Sequence, residues 1–320
     1  TYAWGWDELR RLGAEIDATA AQITTGGFAA ARDLLNRDPH RAVHGVDAFQ
    51  AWLQELTDRT TAELDGRHFD IAPEARRVEC MIAPPGSAAA MYYTAPSEDW
   101  SRPGRTWYPA GDRTVFPTWE EVSTAYHEGV PGHHLQQVAT MAANPALNRF
   151  QRYWFNPGHG EGWALYAERL MDELGYHQQP ETRLGMLSAE DFRAARVVVD
   201  IGLHLELAIP DDWPIHAGKR WDFELARTFM EDHVARGGDF VTSEVERYLG
   251  MPAQAISYLV GQREWLDIRA VVRAREGAGF DLRRFHGRAL GLGSMGLAQL
   301  RAELTRPEDG GGGATRSLLS

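Results

Sequence analysis

The sequence predicts a mainly α-helical protein with a small β hairpin or sheet beside its central helix. Three observations predict it. Apolar residues recur at three- and four-residue spacing along most of the 320-residue chain, one stretch is rich in Pro, Gly and aromatic residues around short β-prone runs, and turn-forming clusters separate the periodic segments.

The elements follow in order. Leu9, Leu12, Ile16 and Ile23 fall on one face of an opening helix, and Phe49, Trp52, Leu53 and Leu56 repeat the pattern behind Asp47 and Gln50, which have capping-box spacing. Between residues 69 and 116, the runs Val78 to Ala83 and Met91 to Thr94 predict the β element. Thr118 and Glu121 are spaced as a second capping box, ahead of a helical stripe of Trp119, Val122 and Tyr126 that runs into His127. Helices are expected over 160–175, 188–209, 219–236, 241–249 and 252–275, broken by clusters such as Pro210-Asp211-Asp212. Residues 1–305 are expected to form a single α-rich domain and 306–320, with Gly310 to Gly313, a disordered tail.

A chain that is 43% hydrophobic and 24% charged has the balance of a soluble globular protein with a real core. Its formal net charge of −12 argues against nucleic acid or an anionic membrane surface as a partner. No apolar run approaches the roughly 20 residues that span a bilayer. The cytoplasm is the expected compartment, with any targeting signal upstream of Thr1 left open, as is the oligomeric state. Cys80 is the only cysteine, which excludes an internal disulfide and a thiolate-rich metal site, so any metal must be held by His and carboxylates.

Tyr126-His127-Glu128-Gly129-Val130-Pro131-Gly132-His133-His134 is a dense group of metal-ligating side chains. In the zinc-peptidase pattern H-E-x-x-H, two His ligands four apart share a helix face and the Glu serves as general base. Here His133 lies six positions after His127, about 600° of rotation, which would leave them roughly 120° apart on a straight helix. Pro131 and Gly132 supply the break that brings His133 back, so Gly129 to Gly132 read as a two-residue expansion of the motif. His134 is the rival ligand, on the face of His127 but about 10 Å along the axis. The bland alternative is that these histidines cap a helix and satisfy buried carbonyls. Glu161 is the candidate third ligand, at the start of a helix expected after Gly158-His159-Gly160, although a helix N-terminus also favours a Glu for its dipole alone. Glu168, two turns on, could orient a ligand imidazole.

Arg193, Arg196, Asp200 and His204 share one helix face. Asp200 could fix the tautomer of a ligand His, while Arg196 or His204 could bind a substrate carboxylate or carbonyl. A solvated face with ordinary ion pairs is the alternative.

These residues also carry a resemblance. Phe69-Asp70-Ile71, Tyr92-Tyr93-Thr94, Arg102 to Trp107, Tyr126 to Gln136, Glu161 to Glu168, Arg193 to His204, and Arg247-Tyr248-Leu249 with Gln254 and Tyr258 resemble the bacterial domain of unknown function 885. That family looks like metallopeptidases of the gluzincin kind, and the resemblance runs from about Trp6 to Leu304. It implies a zincin-like helical metallopeptidase architecture, Glu161 as third ligand, His133 rather than His134 as second, and Tyr258 as a cleft residue whose hydroxyl could donate to an oxyanion. It also implies a further N-terminal region of roughly 200 residues, within the usual range of domain lengths, and part of the cleft wall is expected to lie there. At Met251-Pro252-Ala253-Gln254 the family more often has Trp-Pro-Gly-Gln.

The resulting expectation is a zinc-dependent hydrolase of short peptides or peptide-like small molecules. His127, His133 and Glu161 hold zinc, Glu128 is the general base, Tyr258 and His204 assist, and Arg196, Arg263 and His286 bind substrate. A metal-dependent amidase or lyase acting on a metabolite, or a non-catalytic metal- or peptide-binding scaffold, would use the same residues. His and carboxylate ligands also admit manganese, cobalt or iron.

Overall fold

Helical periodicity dominates the sequence, and helices dominate the structure. A computed structural model describes residues 1–87, 90–143, 147–234 and 238–306. In chain order the elements are α1 (Tyr2–Ala20), α2 (Gly27–Arg37), β1 (Ala42–His44), α3 (Val46–Leu64), β2 (Val78–Ile82), β3 (Tyr92–Thr94), β4 (Gly104–Tyr108) and β5 (Val115–Pro117). There follow α4 (Glu121–Glu128), α5 (His133–Ala143), α6 (Arg149–Tyr153), α7 (Pro157–Glu173), α8 (Pro180–His204), α9 (Phe223–Asp232), α10 (Asp239–Gly250), α11 (Ser257–Glu276), α12 (Leu282–Leu290) and α13 (Leu297–Thr305). Except for Arg306, the expected tail lies outside the described residues. No helix is long and apolar enough to cross a membrane among the described residues.

The apolar stripes meet in two clusters. One gathers Leu9, Leu12 and Ile16 of α1 against Val197 to Val199 of α8, and the other gathers Phe49 and Leu53 of α3 against Phe116 and the deep face of α7. α7 and α11 belong to both: Leu165 and Leu259 enter the first cluster, Trp163 and Trp265 the second. Each such side chain contributes roughly 1.5–3 kcal/mol on burial, so these two helices are anchored in both cores. They touch backbone to backbone. A Cβ on Gly162 would stand 2.5 Å from the Cα of Gly261, and any side chain there would drive apart the helices that carry Glu161 and Tyr258.

The β element is a three-stranded sheet of order β2-β4-β3, with β2 parallel and β3 antiparallel to β4. A second, two-stranded sheet pairs β5 with β1, a three-residue strand outside the expected range and too short to show alternation.

Neither expected capping box forms. α3 starts from Gly45, and Gln50 donates instead to the carbonyl of Cys80 in β2 (2.9 Å). α4 starts at Glu121, where Thr118 Oγ donates to Arg41 O (3.1 Å) and the buried Glu121 carboxylate faces Arg113. In both places the side chain that would have capped its own helix is used to tie a neighbouring segment. α8 begins eight residues before the expected start and ends at His204, ahead of the Pro210 cluster.

Ala253, where the resembling family more often has Gly, adopts φ 65. Its backbone N–H faces the Asp200 carboxylate and partly offsets the burial that raises that carboxyl above its ordinary value. A left-handed alanine costs roughly 1–2 kcal/mol. Ala253→Gly is therefore expected to stabilise the protein by about 1 kcal/mol, after the entropy cost of glycine is subtracted. A denaturant midpoint that fails to rise at constant slope would contradict this.

Candidate metal centre

The expanded motif breaks the helix where Pro131 and Gly132 predicted a break. α4 ends with Glu128, and α5 starts anew at His133 after a turn containing a cis Val130–Pro131 bond. The turn closes through Gly132 N–H, which donates to Tyr126 O six residues back (3.0 Å). Trp163 Nε1 of α7 donates to Pro131 O (2.9 Å), which pins the turn to the helix that carries Glu161. α7 itself begins earlier than expected. Asn156 caps it, accepting from His159 N–H (3.2 Å), and Pro157 is its first residue, so Gly158-His159-Gly160 is a helical turn. Glu161 therefore sits past the first four residues, where the helix dipole gives little reason for a carboxylate.

These devices bring His127, His133 and Glu161 together, with one ligand atom of each within 4.8 Å of the others. Glu161 Oε2 lies 3.5 Å from His127 Nε2 and 3.2 Å from His133 Nε2. Ligand atoms on a tetrahedron with bonds of 2.0–2.2 Å stand roughly 3.3–3.6 Å apart, so the two separations from Glu161 are close to those around a single ion. Glu161 Oε2 is also buried without a sound hydrogen bond, which is costly unless something else occupies its lone pair. The residues fit a metal ion on both counts.

The protein around them fixes each imidazole. His127 Nδ1 donates to Glu168 Oε1 (2.7 Å), and Ser123 Oγ donates to the other carboxylate oxygen. This leaves His127 Nε2 toward Glu161, as a metal ligand requires. Burial opposes a charge on His127, but Glu161, Glu168 and Glu128 outweigh it and push the imidazole up to about 9. Burial would raise the Glu161 carboxyl, yet the His133 and His127 imidazoles hold it well below the usual carboxylate range. The three acidic groups around two imidazoles make a pocket that favours a cation. Glu168→Gln should keep the fold and weaken metal binding about 10- to 100-fold, measured by competition with a chelator; unchanged affinity would remove Glu168 from this role.

His134 is held elsewhere. It is fully buried, with Nε2 3.0 Å from Ala75 O and Nδ1 2.9 Å from the Tyr93 hydroxyl, so β3 fastens it one residue beyond the cluster. Asp200 does not reach a clustered histidine either. It pairs with His204 at 2.9 Å one turn along α8, and Glu168 takes the orienting position.

His127, Glu128, His133, Glu161, Arg196 and Tyr258 line one cleft of about 680 Å³. The Tyr258 ring lies 6.3 Å from that of His127 and nearly parallel to it, and burial raises its hydroxyl above the ordinary value. The other three expected site residues do not line the cleft. His204 stays with Asp200; Arg263 lies over the ring of Trp4, 4.8 Å from its centre; and His286 is stacked on Phe69 in the core, 2.7 Å from the Tyr166 hydroxyl. Conversely, Arg193 and His233 line the cleft. His233 had no motif to flag it, since its partner Asp191, at 2.6 Å, is 42 residues away.

Among solved structures, a "putative lipoprotein" from Colwellia psychrerythraea superposes with a TM-score of 0.82 at 30% identity, covering 95% of this chain and 51% of that one. A "putative lipoprotein of unknown function" from Shewanella oneidensis gives 0.73 at 20% identity, covering 95% and 56%, which speaks to the fold alone. The chain thus spans about half the length of these relatives. No curated protein matches it. The family model described as bacterial protein of unknown function (DUF885) matches residues 1–304, and the chain belongs to that family.

Proposed function

We propose that the chain hydrolyses amide bonds of short peptides or peptide-like small molecules, with zinc held by His127, His133 and Glu161. The observation that carries this reading is the convergence of those three ligand atoms in a cleft that Glu128 also lines. Two imidazoles and one carboxylate are the donor set of open catalytic zinc sites, and a purely structural site has no use for a base beside its first ligand. When bound, the ion supplies Lewis-acid activation of a carbonyl and of water. Glu128 takes a proton from the attacking water as the new C–O bond forms and returns it to the amine nitrogen as the C–N bond breaks. Tyr258 keeps its proton at neutral pH and donates a hydrogen bond to the oxygen on which charge develops. The zincin-like description belongs with this mechanism.

The relatives' name also favours the cell envelope over the cytoplasm expected from composition. Elemental analysis beside a peptide-library assay tests the function. Wild type and Glu128→Gln should each carry about one metal ion per chain, while cleavage falls by roughly 10²–10⁴-fold in the variant. A well-folded wild type that takes up no metal would sink the reading.

A further inference from the structure

We propose that the cleft selects substrates ending in a free carboxylate, held by Arg193 and Arg196 within about one or two residues' length of the candidate metal ligands. This rests on the hydrolytic reading and narrows its substrate class.

Arg196 is 7% exposed and lines the cleft. Its Nε donates to the Tyr248 hydroxyl (3.1 Å) and its Nη2 to Glu244 Oε2 (2.7 Å), but its Nη1 is buried with no partner. Arg193, one turn earlier on α8, donates from Nη1 to Ala189 O (3.0 Å), and its Nη2 is 3.9 Å from Glu168. Its Nε is likewise buried and unpartnered. An unmet buried N–H costs roughly 1–3 kcal/mol, more on a charged group. These two belong to residues on adjacent turns that both line the cleft, and a small turn of each guanidinium toward one ligand anion would meet both.

The chemistry favours a carboxylate. Guanidinium groups present planar forks that match a planar carboxylate, and Phe192 and Tyr258 flank Arg196 with ring centres 4.2 and 4.8 Å from its Cζ, excluding water that would weaken the pairing. Glu128 and Glu161 line the same cleft and would repel a dianion such as phosphate. Position completes the argument. The centre of the Tyr258 ring is 4.8 Å from Arg196 Cζ and 6.3 Å from that of the His127 ring, so the guanidinium and a candidate ligand share one aromatic neighbour. A residue advances the chain by roughly 3.5 Å, so a carboxylate held there places the last or the penultimate amide at the cluster. The interior of a long polypeptide offers a carboxylate only on Asp and Glu side chains, set off the line of the backbone, and the action expected is removal of one or two C-terminal residues.

The test uses matched N-acetyl dipeptides, as free acids and as C-terminal amides, titrated into the Glu128→Gln chain by calorimetry with and without added zinc. The variant prevents turnover from obscuring binding. The free acids should bind at least about tenfold tighter, the worth of one charge-assisted hydrogen bond, and the preference should shrink in Arg193→Gln. Arg196→Gln gives the same answer if it folds, but the acid-to-amide comparison needs no arginine variant. Equal affinity for acid and amide, or no binding of either, overturns the proposal whether or not the wild type cleaves peptides. An acid preference in a chain that cleaves nothing upholds the carboxylate site and removes the hydrolase.

Discussion

Alanine at Glu161 or at His133 is expected to weaken metal binding by about two orders of magnitude, whereas alanine at His134 should leave it unchanged. Zinc sites bind with roughly 10–16 kcal/mol shared among their ligands, so one ligand is worth about 3 kcal/mol, a factor on the order of 100. Glu161 holds the position closest to both imidazoles, at 3.5 and 3.2 Å, and its loss leaves no other carboxylate with that geometry among the described residues. The metal-free fold should tolerate the change, because Trp163, Leu165 and Tyr166 provide the burial that seats α7. His134→Ala acts the other way. It strips partners from Ala75 O and the Tyr93 hydroxyl and should cost roughly 1–3 kcal/mol of stability with full metal occupancy. Metal titration and thermal unfolding on the same three variants separate the two effects. Metal lost from His134→Ala but retained in His133→Ala would invert the assignment.

Gly132→Ala is expected to abolish the site from a position that offers no side chain to it. A Cβ there would lie 1.9 Å from His127 O and 2.4 Å from Tyr126 O, and both are backbone atoms that cannot rotate aside. Relief requires breaking the Gly132 N–H bond to Tyr126 O and moving the start of α5, which carries His133. The cost should be about 3 kcal/mol or more, with metal uptake reduced at concentrations that saturate the wild type. Unchanged metal affinity and unfolding temperature in Gly132→Ala would show that the chain does not take this path between the two histidines.

Much of this centre was legible in the sequence, and the parts that were not share a cause. His, His and Glu as ligand types, the acidic residue beside the first of them, and the break at Pro131 and Gly132 all follow from local chemistry: imidazole and carboxylate bind metal, and Pro and Gly interrupt a helix. Periodicity likewise placed α1, α3 and most of α7 to α11, because a helix must bury one stripe. The capping boxes failed because spacing shows that two side chains can cap, but not that Gln50 and Thr118 have better partners in Cys80 and Arg41.

The same limit governs the stripe on α8. Sequence grouped Arg193, Arg196, Asp200 and His204 on one face, and two of the four line the cleft, while Asp200 and His204 pair with each other one turn beyond it. His286 and Arg263 are ordinary polar residues until Phe69, Tyr166 and Trp4 are placed against them.

By itself, then, the sequence determined the helical character, the residue types able to hold a metal and the place where the helix must break, since each depends on neighbours within a few positions. Tertiary structure decided that His134 is fastened by β3, that Glu168 rather than Asp200 orients His127, and that Arg196 meets Glu244 yet keeps an N–H unmet. Those outcomes depend on partners dozens of residues away, and a burial pattern shows which face of a helix is covered but not what covers it.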